Sequence, residues 1–128
     1  MPKYLVEATY LSEGSKGVQK EGGSGRRTAV EQLFRSLGGT VESFYFAFGD
    51  KDVFIVGELP DNASAAALAV KVNAAGSANC RITVLLTAEE MDQAVKKTSV
   101  YRPPGFDEQA EVAKWEGEGG NLQPGTTP

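Results

Sequence analysis

Along the first residues of the chain, Tyr4, Val6, Ala8 and Tyr10 alternate with Lys3, Glu7 and Thr9, which predicts a strand with one face more buried than the other. Further on, Ala29, Val30, Leu33, Phe34 and Leu37 fall at helical spacing, and Gly38-Gly39 stops that helix. The stretch before it, Gly17 to Arg27, is rich in glycine and reads as a loop, with the helix opening near Ser24 or at the capping box Thr28-Ala29-Val30-Glu31. Thr40 to Phe48 and Val53 to Leu59 are β-rich runs joined by Gly49-Asp50-Lys51-Asp52, the pattern of a hairpin with a polar turn. Alternation then places Phe44, Phe46 and Phe48 on one face and Val41, Tyr45 and Ala47 on the other, with Val53 and Ile55 set against Phe54 and Val56 on the next strand. Pro60-Asp61-Asn62 offers a turn and an N-cap for an Ala-rich helix over Ala63 to Ala75, in which Leu68, Val70 and Val72 supply the larger contacts and Gly76 the stop. A fourth strand follows at Asn79 to Leu86, and Thr87-Ala88-Glu89-Glu90 opens a short helix toward Lys97 as a capping box.

The order is βαββαβ, which predicts an α+β, ferredoxin-like domain: a four-stranded antiparallel sheet with two helices on one face. Both faces carry apolar groups but helices cover only one, so the pattern predicts a homodimer or higher homo-oligomer formed through the open sheet face, the competing reading being that the last helix and tail fold back over it. After Tyr101-Arg102-Pro103-Pro104-Gly105 the composition turns to charged and small residues. The domain is therefore expected to span residues 1–105, and residues 106–128 to form a flexible tail in which Phe106 and Trp115 flank a short helix.

Several stretches together, YLVEATYLSEGSKGVQKEG, GRRTAVEQLFRSLGGTVESFYFAFGDKDVFIV, LPDNASAAALAV and LLTAEEMDQA, resemble the GYD domain family over about residues 3–97. These are small bacterial and archaeal proteins, and the resemblance implies the dimeric α/β-barrel version of the fold. The family's glycine and aspartate look like Gly49 and Asp52, whereas Lys51 stands where a tyrosine is expected, so no role of that tyrosine carries over. No activity is implied, and no catalytic residue comes with the resemblance.

Composition narrows the chemistry. A net charge of -4 and an isoelectric point near 4.9 argue against nucleic acid or an anionic membrane as partner. The first residues lack the apolar run of a signal peptide and no segment has the length to span a bilayer, so the expected location is the cytoplasm. The single cysteine, Cys80, has no partner for an internal disulfide. The chain has no histidine, which removes the commonest general base, the usual activator of a nucleophile and the commonest transition-metal ligand. Cys80 lacks CxxC spacing and a neighbouring base, and Asp50, Asp52 and Glu58 are too few oxygens for a calcium loop, so neither a nucleophile nor a metal site is expected, nor any cofactor.

Two candidate sites remain. Gly17, Gly22 and Ser24 match part of the GxxxxGK[ST] phosphate loop, but Gly23 replaces the lysine and the strand order is not the parallel sheet of nucleotide hydrolases. What survives is an anion site, in which Lys16, Lys20, Arg26 and Arg27 gather positive charge where the first helix begins, although Glu13, Glu21 and Glu31 neutralise the same charges in the competing reading. The second candidate is an aromatic cavity between sheet and helices, lined by Tyr10, Phe44, Tyr45 and Phe46 with Asn73 as a polar group. The leading expectation is a non-catalytic, dimeric small-molecule-binding or interaction protein, with an anionic metabolite as ligand. The alternative is a cofactor-independent enzyme acting on a small aromatic or carbonyl compound, with Tyr45 or Tyr10 handling a proton and Asn73 orienting the substrate.

Overall fold

The computed structural model describes residues 1–105, so the expected tail with Phe106 and Trp115 lies outside the described residues. The chain divides into two compact units, Met1–Met91 and Asp92–Pro128. The elements are β1 (Lys3–Tyr10), α1 (Ser12–Ser36), β2 (Thr40–Phe46), β3 (Val53–Glu58), α2 (Asn62–Ala75), β4 (Ala78–Leu85) and α3 (Ala88–Lys96). The strands form one antiparallel sheet in the order β2-β3-β1-β4, so the first unit is the ferredoxin-like βαββαβ arrangement that the patterning predicts.

Register decides which residues face the helices. Val6 lies between Ile55 on β3 and Ile82 on β4, and Ala8 between Val53 and Cys80, so these alternate positions share one face. Together with Tyr4, Phe34, Leu59, Ala65 and Leu68 they build the core. Phe34 is completely buried because β3 carries a glycine beneath it: a Cβ on Gly57 would come within 2.5 Å of the Phe34 ring and 2.8 Å of the Thr40 carbonyl oxygen. Burying Tyr4 is compatible with its hydroxyl because that group donates a 2.7 Å hydrogen bond to Asn62 Oδ1.

The helix ends follow the expected chemistry. Asp61 caps α2 by accepting from the Ser64 backbone N–H at 2.8 Å and the Ser64 hydroxyl at 2.7 Å, and these bonds hold its carboxyl below the ordinary value. Gly76 closes α2 in the left-handed region. At the start of α3 the capping box is complete, with Thr87 N–H on Glu90 Oε1 and Glu90 N–H on Thr87 Oγ1, both 3.0 Å.

Four expectations are corrected. The glycine-rich stretch is helical: α1 begins at Ser12, and Thr28 lies inside it, its hydroxyl turned back onto the Ser24 carbonyl at 3.1 Å. The helix breaks only at Gly22, whose φ of 78° and ψ of 169° are open to glycine alone. A bulge between Val41 and Ser43 rephases β2, so Val41 pairs with Gly57 and joins Phe44 on the helix face, while β2 ends at Phe46 and leaves Phe48 fully exposed in the turn. Val70 is 66% exposed, because Ala65, Leu68 and Val72 occupy the inward side of α2 and position 70 falls about 200° from each neighbour two residues away. Lastly, β4 runs one residue earlier than expected, which leaves Leu86 outside it and exposed.

Candidate functional site

Small residues on facing elements leave space between them. Ala8 on β1 and Ala78 on β4 look toward Gly14 and Gly17 on α1 and Ala75 on α2, and the gap they frame is a cavity of about 400 Å³. Val6, Val53, Ile55 and Cys80 complete its floor; Val30, Leu33, Phe34, Leu68 and Val72 form its walls. Glu13, Lys71 and Ser77 are exposed and mark its mouth, and Tyr10 and Arg26 supply the inner polar groups.

The cavity is open to solvent at its mouth, and its volume falls in the range of small-molecule sites.

Two of the polar groups are held in place by the fold. Tyr10 ends β1, and its backbone N–H donates to Asp52 Oδ2 at 2.7 Å, while the Asp52 N–H donates to the Ala8 carbonyl at 2.9 Å. The hairpin aspartate therefore fixes the strand end that carries the phenol. Arg26 follows the Gly22 break by one turn, and its Nη1 pairs with Glu21 Oε1 at 3.3 Å across it. Its Nε is shielded from solvent and has no hydrogen-bond partner, which costs about 1–3 kcal/mol for a neutral group and more for a charged one.

Burial pushes the Tyr10 phenol above its ordinary pKa; the Arg26 charge opposes this, and Glu21 and Asp52 reinforce it. The phenol is thus neutral near pH 7 and acts as a hydrogen-bond donor. Burial likewise raises the Cys80 thiol, so the thiolate is disfavoured.

Of the sequence candidates, the structure brings Tyr10 and Arg26 together at the cavity and places the others elsewhere. Lys16 is exposed and bonded to Glu13 at 3.4 Å; Lys20 and Arg27 are exposed along α1. Tyr45 pairs with Phe54 on the opposite sheet face and is 70% exposed. Asn73 accepts from the Cys80 N–H at 2.7 Å and donates to the Cys80 carbonyl at 3.4 Å, so it ties α2 to β4 outside the cavity. Phe44 and Phe46 meet edge to face, 5.2 Å between centroids, and do not line it. Sequence reasoning missed Gly14 and Lys71, and gave Gly17 to a partial phosphate loop and Glu13 to charge neutralisation; the helical spacing of Glu13, Lys16 and Lys20 was the signal that would have put both glycines on a helix.

Among the described residues no cluster of three or more His, Cys, Asp or Glu residues is placed to hold a metal ion, and no helix is long and apolar enough to cross a membrane. No curated protein and no solved structure matches the chain. The family model of the GYD domain matches residues 4–95, and with that span covering most of its length the chain belongs to the GYD domain family.

Proposed function

We propose that this GYD domain protein is a non-catalytic binding protein for a small, largely apolar molecule held between α1, α2 and the sheet. The observation that carries the reading is the 400 Å³ cavity, walled by aliphatic side chains and fitted with only a few polar groups, the ordinary make-up of a small-molecule site. Binding is favoured over turnover because burial keeps both the Tyr10 phenol and the Cys80 thiol protonated, so neither supplies a base or a nucleophile. The test is a thermal-shift screen of small apolar compounds: a ligand at 100 times its Kd adds about 2.7 kcal/mol and raises the midpoint by several degrees. A ligand of the cavity loses this effect when Ala8, in the cavity floor, is replaced by phenylalanine. A screen without shifts, or shifts that survive the substitution, would contradict the reading.

The same reading includes a homodimer through the open sheet face. Tyr45 and Phe54 are exposed there, side by side in the register, with Leu5, Val56 and Leu85 on the same face, and aromatic residues are enriched in the cores of such contacts. Phe54→Lys combined with Tyr45→Glu is expected to convert a dimer into a monomer of 13.6 kDa, measured by sedimentation equilibrium. A wild-type protein that stays monomeric at high micromolar concentration would contradict this contact.

A further inference from the structure

We infer that the cavity takes a small organic monoanion, with its acid group against Arg26 and its apolar body over Ala8 and Val30. This rests on the reading of the cavity as a ligand site and specifies what that site selects.

Arg26 is the first reason. One edge of its guanidinium is engaged by Glu21, but its Nε–H is buried beside the cavity with no acceptor. An arginine in this position is completed by an oxygen acceptor, and a carboxylate satisfies it with a charge-assisted hydrogen bond. The Tyr10 phenol acts on the same region, since the Arg26 charge reaches it, and in its neutral form it is a second donor. A buried cationic donor with a second, neutral donor beside it favours an anionic acceptor over an amine or an alcohol.

Charge balance is the second reason. The ionised side chains lining the cavity are Glu13, Arg26 and Lys71. Glu13 is paired with Lys16 and Arg26 with Glu21, so those two pairs sum to zero. Lys71 has no ion pair among the described residues, leaving one positive charge over. One surplus charge beside apolar walls suits a monoanion with a hydrocarbon body; it does not suit a phosphate, whose second charge and full hydration shell the aliphatic floor cannot replace.

The experiment is isothermal calorimetry of the full chain with four probes: octanoate, octan-1-ol, octylammonium and inorganic phosphate. Octanoate is expected to bind about tenfold or more tightly than octan-1-ol, the size of one charge-assisted hydrogen bond. Octylammonium binds more weakly than either, and phosphate gives no heat. Arg26→Gln brings octanoate down to the octan-1-ol level, and Arg26→Lys, which keeps the charge but loses the planar Nε–H, falls between them. If octan-1-ol binds as tightly as octanoate, or if Arg26→Gln leaves octanoate unchanged, the monoanion inference is overturned while the cavity remains a ligand site. If phosphate binds as well as octanoate, the apolar body is irrelevant and the inference is also overturned. If none of the probes binds, or if octanoate binding survives Ala8→Phe, both this inference and the reading beneath it fail.

Discussion

Phe34→Ala is expected to cost the fold about 3–5 kcal/mol, seen as a shift of the urea midpoint or a fall of ten degrees or more in Tm. Phe34 has no exposed surface and lies where α1 crosses β3, above the one strand position, Gly57, with no side chain to compete for the space. Removing the ring opens a hole in the core cluster that Phe34 shares with Val53, Ile55 and Leu68. Collapse cannot repair this, because Phe34 also walls the cavity and the lost volume merges with it. The cost should therefore sit at the upper end for such truncations rather than the lower. A loss below about 1 kcal/mol would mean that α1 does not close the core through this residue.

Ala8→Phe should abolish ligand binding, by a hundredfold or more in Kd, while leaving the protein folded. Ala8 sits in the central strand with Val53 and Cys80 as its register partners, and its side chain forms part of the cavity floor. A benzyl group there enters free volume. Inserting extra carbon atoms into a filled core costs about 1–3 kcal/mol, so a stability change smaller than that, together with lost binding, separates an occupied cavity from an overpacked core. The backbone bond from Asp52 N–H to the Ala8 carbonyl does not depend on the side chain and should keep Tyr10 in place. Destabilisation beyond about 3 kcal/mol would show that no usable space lies above Ala8.

The fold was legible because local signals agreed with the tertiary structure. The alternation from Tyr4 to Tyr10, the Asp61 cap, the Gly76 stop and the Thr87-Glu90 box each act within a few residues and appear in the structure as read. The first half of α1 was not legible. Each glycine costs a helix about 1 kcal/mol, which argues for a loop, yet the chain gains Leu11 N–H on the Ser77 carbonyl and the packing of Gly14 beneath the same group. That contact joins residues far apart in sequence, so propensity could not anticipate it.

The candidate site was harder still, because a cavity is defined by side chains that are missing. Ala8, Gly14, Gly17, Ala75 and Ala78 belong to four different elements, and no local pattern connects them. Charge alone singled out Arg26 together with Lys16, Lys20 and Arg27; only the break at Gly22 and the register at Tyr10 distinguish it from the other three. Tyr45 illustrates the opposite error. It is aromatic and polar as a site residue would be, but its parity on β2 puts it on the sheet face away from the helices.

The most direct test of the cavity as the ligand site uses Cys80, the chain's one cysteine, whose thiol lies in the cavity floor. The measurement is the rate at which a maleimide modifies that thiol, with and without octanoate at 100 times its Kd. Burial keeps the thiol protonated and the starting rate slow. With about 1% of the sites left free, the rate is predicted to fall about a hundredfold, in step with the occupancy measured by calorimetry. Calorimetric binding with an unchanged rate at Cys80 would place the ligand elsewhere and contradict the account.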